Sequence, residues 1–244
     1  MTSVTAIEFT TPPGWIRIDT AVQGESASLD VTDRLLAPLP PEQRARARGR
    51  VNAAVREAVL RARSAGAVQL VLPLDLDLSV TLPASFTVQP LPVPEDVDPL
   101  QAVAAMTAGE SGFDVVEGAG VFALRASDDS LSDDAETRRA LDALVEIDAP
   151  ESRVEIERWA HGSGTRRVRY IVGDPELPGS WYLVVFVAQT SADPQTQELA
   201  AVMVNLFDLI MATVRFRTEP EAPPTVGATH PQTEPGSSDP GQTE

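Results

Sequence analysis

The chain has no cysteine, no lysine and two histidines in 244 residues. Lack of cysteine removes disulfides, thiolate zinc sites and a cysteine nucleophile. All 19 basic residues are arginine, against 36 acids, giving a formal net charge of −17. Broad contact with nucleic acid phosphates needs a basic surface, so no nucleic acid partner is expected. The longest apolar stretch, residues 199–214, is broken by Asn205 and Asp208. It falls short of the roughly 20 apolar residues of a membrane span. Residues 1–9 carry no base and no signal-peptide-like apolar run, so the expected location is cytoplasmic. No Walker A sequence, G-x-G-x-x-G loop or metal-ligand spacing occurs, and no cofactor is expected.

What is present points to a folded body. Apolar residues make up 43% of the chain, enough to bury a core. At about 150 residues per domain the length fits one large domain or two small ones. Residues 219–244 hold six prolines, five acids and no base, and are expected to form a disordered tail. With no linker between Val4 and Phe216, a single domain over residues 1–218 is expected.

Alternation toward Phe9, then Pro12-Pro13-Gly14 and Trp15, Ile16 and Ile18, predicts an opening hairpin. Residues 41–65 predict a helix with Ala47, Val51, Ala54, Val55, Ala58 and Ala62 on one face and Gly66 past its end. Short strands follow over residues 67–93, and a short helix capped by Asp98 with Pro99 at its first position. Residues 113–117 and 121–126 predict a hairpin across Gly118-Ala119-Gly120. Residues 127–150 read ambiguously, with two helical turns available over 137–145.

Residues 153–159 and 165–171 predict another hairpin, in which Ile156 faces Val168 while Glu157 faces Arg167 and Glu155 faces Arg169. The nearly all-apolar segment 181–189 predicts a central, covered strand. A closing helix begins at Asp193-Pro194, and its apolar residues cover most of its circumference. A short strand around Phe216 ends the body. The sum is an α+β fold, a mainly antiparallel β-sheet flanked by helices.

Two stretches resemble a known family. Phe9-Thr10-Thr11-Pro12-Pro13-Gly14-Trp15 is similar to the opening of PsbP-like domains, and the helix with Phe207-Asp208 running into Val214-Arg215-Phe216 is similar to their ending. The superfamily includes an extrinsic photosystem II protein, a Ran-binding nuclear import factor, actinobacterial lipoproteins and secretion-effector chaperones. The resemblance implies a PsbP-like sandwich, an antiparallel sheet between helices, and a binding or adaptor role. It carries over no catalytic residue. The helix over 41–65 and the proline-rich region after it are longer than such ends lead one to expect, and the lipobox cysteine of the lipoproteins is missing.

Chemistry is sparse. His161 precedes Gly162-Ser163-Gly164, but the G-x-S-x-G elbow is missing, and a polar turn is the expected role. The run from Asp128 to Glu136 starts like a calcium loop. It then places Asp133 where glycine should stand and Arg139 where the bidentate glutamate should, so a solvated loop is expected. Arg44, Arg46, Arg48, Arg50, Arg56, Arg61 and Arg63 form a basic stretch, read as the solvated face of its helix. Trp15, Trp159 and Trp181 are expected in or beside the core.

No catalytic or metal residue is assigned, and no enzyme activity is expected. The expected function is a non-catalytic protein-interaction domain (an adaptor, chaperone or assembly factor) with an unidentified protein partner and an open oligomeric state. Its contact residues are taken from the closing helix: Leu199, Met203, Phe207 and Ile210. The alternative is a small-molecule or lipid-binding domain with a pocket between sheet and helix. A carboxylate-dependent hydrolase ranks behind both.

Overall fold

A computed structural model describes residues 4–20, 26–74, 84–93, 97–108, 112–118, 121–130, 164–174, 177, 180–191 and 193–219. The strands are β1 (Val4–Glu8), β2 (Trp15–Asp19), β3 (Gln69–Pro73), β4 (Ala84–Pro90), β5 (Asp114–Gly118), β6 (Val121–Ser130), β7 (Gly164–Gly173), β8 (Tyr182–Thr190) and β9 (Arg215–Glu219). The helices are α1 (Ser26–Leu36), α2 (Pro41–Ser64), α3 (Pro99–Thr107) and α4 (Pro194–Met211). Seven strands form one antiparallel sheet in the order β2-β3-β4-β8-β7-β6-β5, and β1 and β9 form a separate antiparallel ribbon. The fold is α+β with a large antiparallel sheet.

The sheet buries side chains on both faces. One face carries Val71, Phe86, Val88, Val168, Tyr170, Val184 and Phe186, which pack with Met203, Phe207 and Ile210 of α4. On the opposite face, Ile18 and Leu70 meet Val31 of α1 and Val55, Val59 and Ala62 of α2. Farther along that face, Leu124, Ile171 and Trp181 meet Val103 of α3. β8 lies at the centre, between β4 and β7, as its run of apolar residues predicts.

Helix ends follow local chemistry. α2 closes with Gly66 at φ 84, where its N–H donates to Arg63 O and Ala67 N–H donates to Ala62 O. This left-handed cap satisfies two orphan carbonyls. Asp98 accepts from Leu100 N at 2.8 Å and starts α3. On α2 the buried face is Ala47, Val55, Val59 and Ala62, so Val59 replaces the exposed Ala54 of the predicted stripe.

Two predicted pairings are corrected. β1 and β2 do not form a hairpin: β1 pairs with β9 and β2 with β3. Pro12 and Pro13 cannot donate backbone N–H groups to a ladder. Gly14, at φ 82, and the bond from Trp15 N to Pro12 O turn the chain from the ribbon into the sheet. The hairpin predicted between 153–159 and 165–171 is also replaced. β6 and β8 occupy both edges of β7 over residues 165–172, and residues 153–159 lie outside those described. The arginines of β7 find their acids on β6 instead, with Arg166 bonded twice to Asp129 (2.8 and 3.0 Å) and Arg169 at 3.6 Å from Asp128. The hairpin predicted across Gly118-Ala119-Gly120 is present as β5–β6.

Two glycines on different elements give a direct test of the packing. A Cβ on Gly173 would overlap Cδ2, Cε3 and Cε2 of Trp181, whose ring is buried under α3. Gly173→Ala is expected to cost about 2–3 kcal/mol, because the ring has nowhere to move. A Cβ on Gly49, inside α2, would meet nothing within 4 Å. Gly49→Ala is expected to gain about 0.5–1 kcal/mol from helix propensity alone. Thermal unfolding of both variants should show shifts of opposite sign.

Candidate functional site on the closing helix

α4 is fastened at both ends. Asp193 accepts from Gln195 N, and Thr196 donates to Asp193 O at 2.8 Å while sharing a 2.7 Å bond with the Ser191 hydroxyl just past the end of β8. At the other end Thr213 Oγ1 donates to Ile210 O (2.7 Å) and accepts from Thr10 N (2.8 Å). These bonds tie both termini of α4 to neighbouring segments, so the helix is held against the sheet in one register. The centre of its inner face is Phe207. Its ring lies 4.9 Å from Phe186, 5.4 Å from Phe86 and 5.6 Å from Tyr170. Aromatic side chains therefore pack at the centre of the α4–sheet interface.

Beside Phe207 sits a polar residue of α4 that reaches the sheet. Asp208 accepts from Arg125 Nε and Nη2, both at 3.1 Å, and from the Tyr170 hydroxyl at 2.9 Å. Tyr170 and Arg125 are register partners on β7 and β6, so the sheet presents both donors to one carboxylate. Burial alone would lower the Arg125 pKa, but the hydrogen bonds and charge of Asp208 outweigh it and raise it. Burial, then the hydrogen bond to Asp208 and its charge, push the Tyr170 phenol well above its ordinary value.

Tyr182, the second of the chain's two tyrosines, is also pushed up by burial. The unfolded tyrosines give up protons near pH 10, the folded ones later. Their contribution to stability is therefore full below about pH 10 and declines as pH rises above it. A phenolate absorbance titration checks this. The absorbance should rise at higher pH in the folded chain than in denaturant, where both tyrosines should ionise near pH 10.

The four contact residues read from the sequence divide unevenly. Met203, Phe207 and Ile210 are buried, at 1%, 0% and 2% exposure, and Leu199 is partly buried against the same core. Met203, Phe207 and Ile210 face the sheet, where the chain's own strands pack on them, and Leu199 lies at the edge of that row. The outward row escapes the sequence reading. It consists of Val202 at 54% and Leu209 at 67% exposure, with Asn205 exposed between them and Leu206 partly buried alongside. Periodicity alone cannot choose between the rows, since α4 is apolar over most of its circumference.

The other candidates resolve into internal ties. Arg44 donates to Ala37 O and Leu39 O, Arg48 binds Asp33 on α1 at 2.9 Å, and Arg61 pairs with Glu57. These arginines lie on the exposed side of α2, and Arg44 and Arg48 brace the α1–α2 corner. Asp128 and Asp129, read as part of a loop, belong to strand β6; residues 131–136 lie outside those described. Trp15 and Trp181 sit beside and within the core. His161, Trp159, His230, the helical turns over 137–145 and residues 220–244 also lie outside the described residues.

Among the described residues, no three or more histidines, aspartates and glutamates group as metal ligands. No described helix is long and apolar enough to cross a membrane. No protein-family model matches the chain, and comparison with curated proteins finds no match.

Proposed function

We propose that the chain is a non-catalytic protein-interaction domain, an adaptor, chaperone or assembly factor of PsbP-like type acting in the cytoplasm, and that its contact surface is the outer flank of α4. One observation carries this reading. In a chain of net charge −17, the outward row of α4 beyond Glu198 is Val202, Asn205 and Leu209, without a charge among them. Charge-depleted, partly apolar patches are what the centres of interfaces look like. The adjacent carboxylate of Asp208 is bonded within the fold, held by Arg125 and Tyr170. Solvated helix faces of acidic proteins ordinarily carry the acids, and this row carries none beyond Glu198.

The test places a photo-crosslinking residue at position 209 of the tagged full-length chain in its native cells. A covalent adduct with a defined protein is expected. The same residue at position 60, an exposed leucine of α2, serves as the control. Equal labelling at both positions, or none at 209, would remove α4 as the contact surface.

A further inference from the structure

α2 and α4 lie on opposite faces of the sheet, α2 over Ile18 and Leu70 and α4 over Phe86, Tyr170 and Phe186. Charge is divided between them. α2 carries seven arginines against Glu42 and Glu57, and α1 beside it adds Arg34 against Asp30 and Asp33. Even with each of these acids paired to an arginine, the two helices keep a surplus of four positive charges, in a chain of net charge −17. α4 carries Glu198 and Asp208 and no base.

Helix stability does not call for this arrangement. α2 starts without a side-chain cap, and Arg44 and Arg46 follow Glu42 within its first two turns, at the positive end of the helix dipole, where acids are favoured. Arg44 with Arg48, and Arg46 with Arg50, are like charges four residues apart, which weakens a helix. Arg44, Arg48 and Arg61 brace the fold, and Arg46, Arg50, Arg56 and Arg63 are exposed on the outer side. With 3.6 residues per turn, Gly49, Ala53 and Leu60 form a lane along that side, bordered by Arg46 and Arg50 on one hand and by Arg56 and Arg63 on the other. The lane is open: a Cβ on Gly49 would meet nothing within 4 Å, and Leu60 is 61% exposed.

We infer that the outer side of α2 docks on an anionic membrane surface, with its arginines on lipid phosphates and Leu60 at the headgroup boundary. A helix of this length is about 36 Å long, and it is exposed along its outer side, so it meets a plane over its whole length. Each arginine near an anionic leaflet raises affinity about fivefold, so the surplus of four favours that surface over a neutral one by roughly 600-fold. The acids of α4 stand a further two layers away, roughly 20 Å, which is about two Debye lengths at physiological salt, and are screened from the leaflet. A nucleic acid duplex offers the same phosphates but no apolar boundary for Leu60. Docked this way, the chain turns α4 away from the membrane and leaves its outer flank open to a protein partner.

The test is co-sedimentation of the full chain with vesicles of phosphatidylglycerol and phosphatidylcholine, about 30% anionic, at about 0.1 M NaCl. Binding is expected there, with none to pure phosphatidylcholine and none at about 1 M NaCl, where the Debye length falls to about 3 Å. Arg46→Gln, Arg50→Gln, Arg56→Gln and Arg63→Gln together should weaken binding by roughly 600-fold at an unchanged thermal midpoint. Leu60→Glu, a single change at an exposed position, should weaken it by about fivefold or more and guards against a quadruple variant that fails to fold. Arg215→Gln with Arg217→Gln, exposed on β9, should leave it unchanged. A wild-type chain that ignores the anionic vesicles, or a quadruple variant that binds them as wild type does, would overturn the docking face. Binding of a labelled DNA duplex of about 20 base pairs as tightly as the vesicles, unmoved by Leu60→Glu, would overturn the lipid assignment. None of these measurements involves α4, so their failure is distinct from that of the crosslink at position 209.

Discussion

Phe207→Ala is expected to destabilise the fold by about 4 kcal/mol, within the range for deleting a buried aromatic ring. Phe207 has no exposed surface and stacks against rings from β4, β7 and β8 at once. Those strands span the middle of the sheet, so they cannot close on the cavity without breaking ladder hydrogen bonds. The loss therefore contains both the transfer term and most of the cavity term. Urea unfolding should show a midpoint lower by about 2 M with an unchanged slope, given a slope of about 2 kcal/mol per molar. Phe207→Leu, which refills much of the volume, should cost about 1–2 kcal/mol. A loss for alanine no larger than that for leucine would mean that the helix seat is loosely packed and that another residue anchors α4.

Asp208→Ala should cost about 2–3 kcal/mol. The change leaves the Arg125 guanidinium and the Tyr170 hydroxyl without their shared acceptor. The side chains of Arg125 and Asp208 are 25% and 32% exposed, so water recovers part of the loss and the figure stays below that of a fully buried pair. Removing all three polar groups together, in Arg125→Met, Tyr170→Phe and Asp208→Leu, should bring stability back to within about 1 kcal/mol of wild type. Urea unfolding of Asp208→Ala and of the triple variant gives the comparison. A triple variant as unstable as the single one would show that the cluster holds the α4 register through geometry that apolar packing cannot replace.

Much of the architecture is local and legible. Asp98 and Asp193 announce their helices because a carboxylate before a proline can accept the first free N–H groups. Gly66 announces the end of α2 because glycine takes the left-handed conformation at low cost. The central place of β8 shows in its unbroken apolar run. α1 is hidden in the sequence because its buried side includes Ser28 and Thr32, whose presence masks the apolar period. Thr32 satisfies its hydroxyl internally by donating to Ser28 O at 2.7 Å. Strand partners are harder to read. β7 carries arginines that suit glutamates on 153–159 and aspartates on β6 equally well by charge, and only the third dimension selects β6. The site follows the same rule: composition identifies α4 as more apolar than one sheet face requires, while the helix phase that decides which row faces water depends on Phe207 and Asp208 finding their seats.

The β1–β9 ribbon has a mechanical consequence. Its outermost pair, Val4 with Glu219, joins the two ends of the described chain, so a load applied across them pulls the ribbon apart like a zipper, one rung after another toward Glu8 and Arg215. Unzipping offers little resistance, because each rung bears the load alone. Beyond it the C-terminal side meets α4, where the Phe207 ring and the Asp208 carboxylate are fastened to β4, β6, β7 and β8 and must yield together. An unfolding motor that grips the chain after Glu219 would strip the ribbon at low force and then stall at α4.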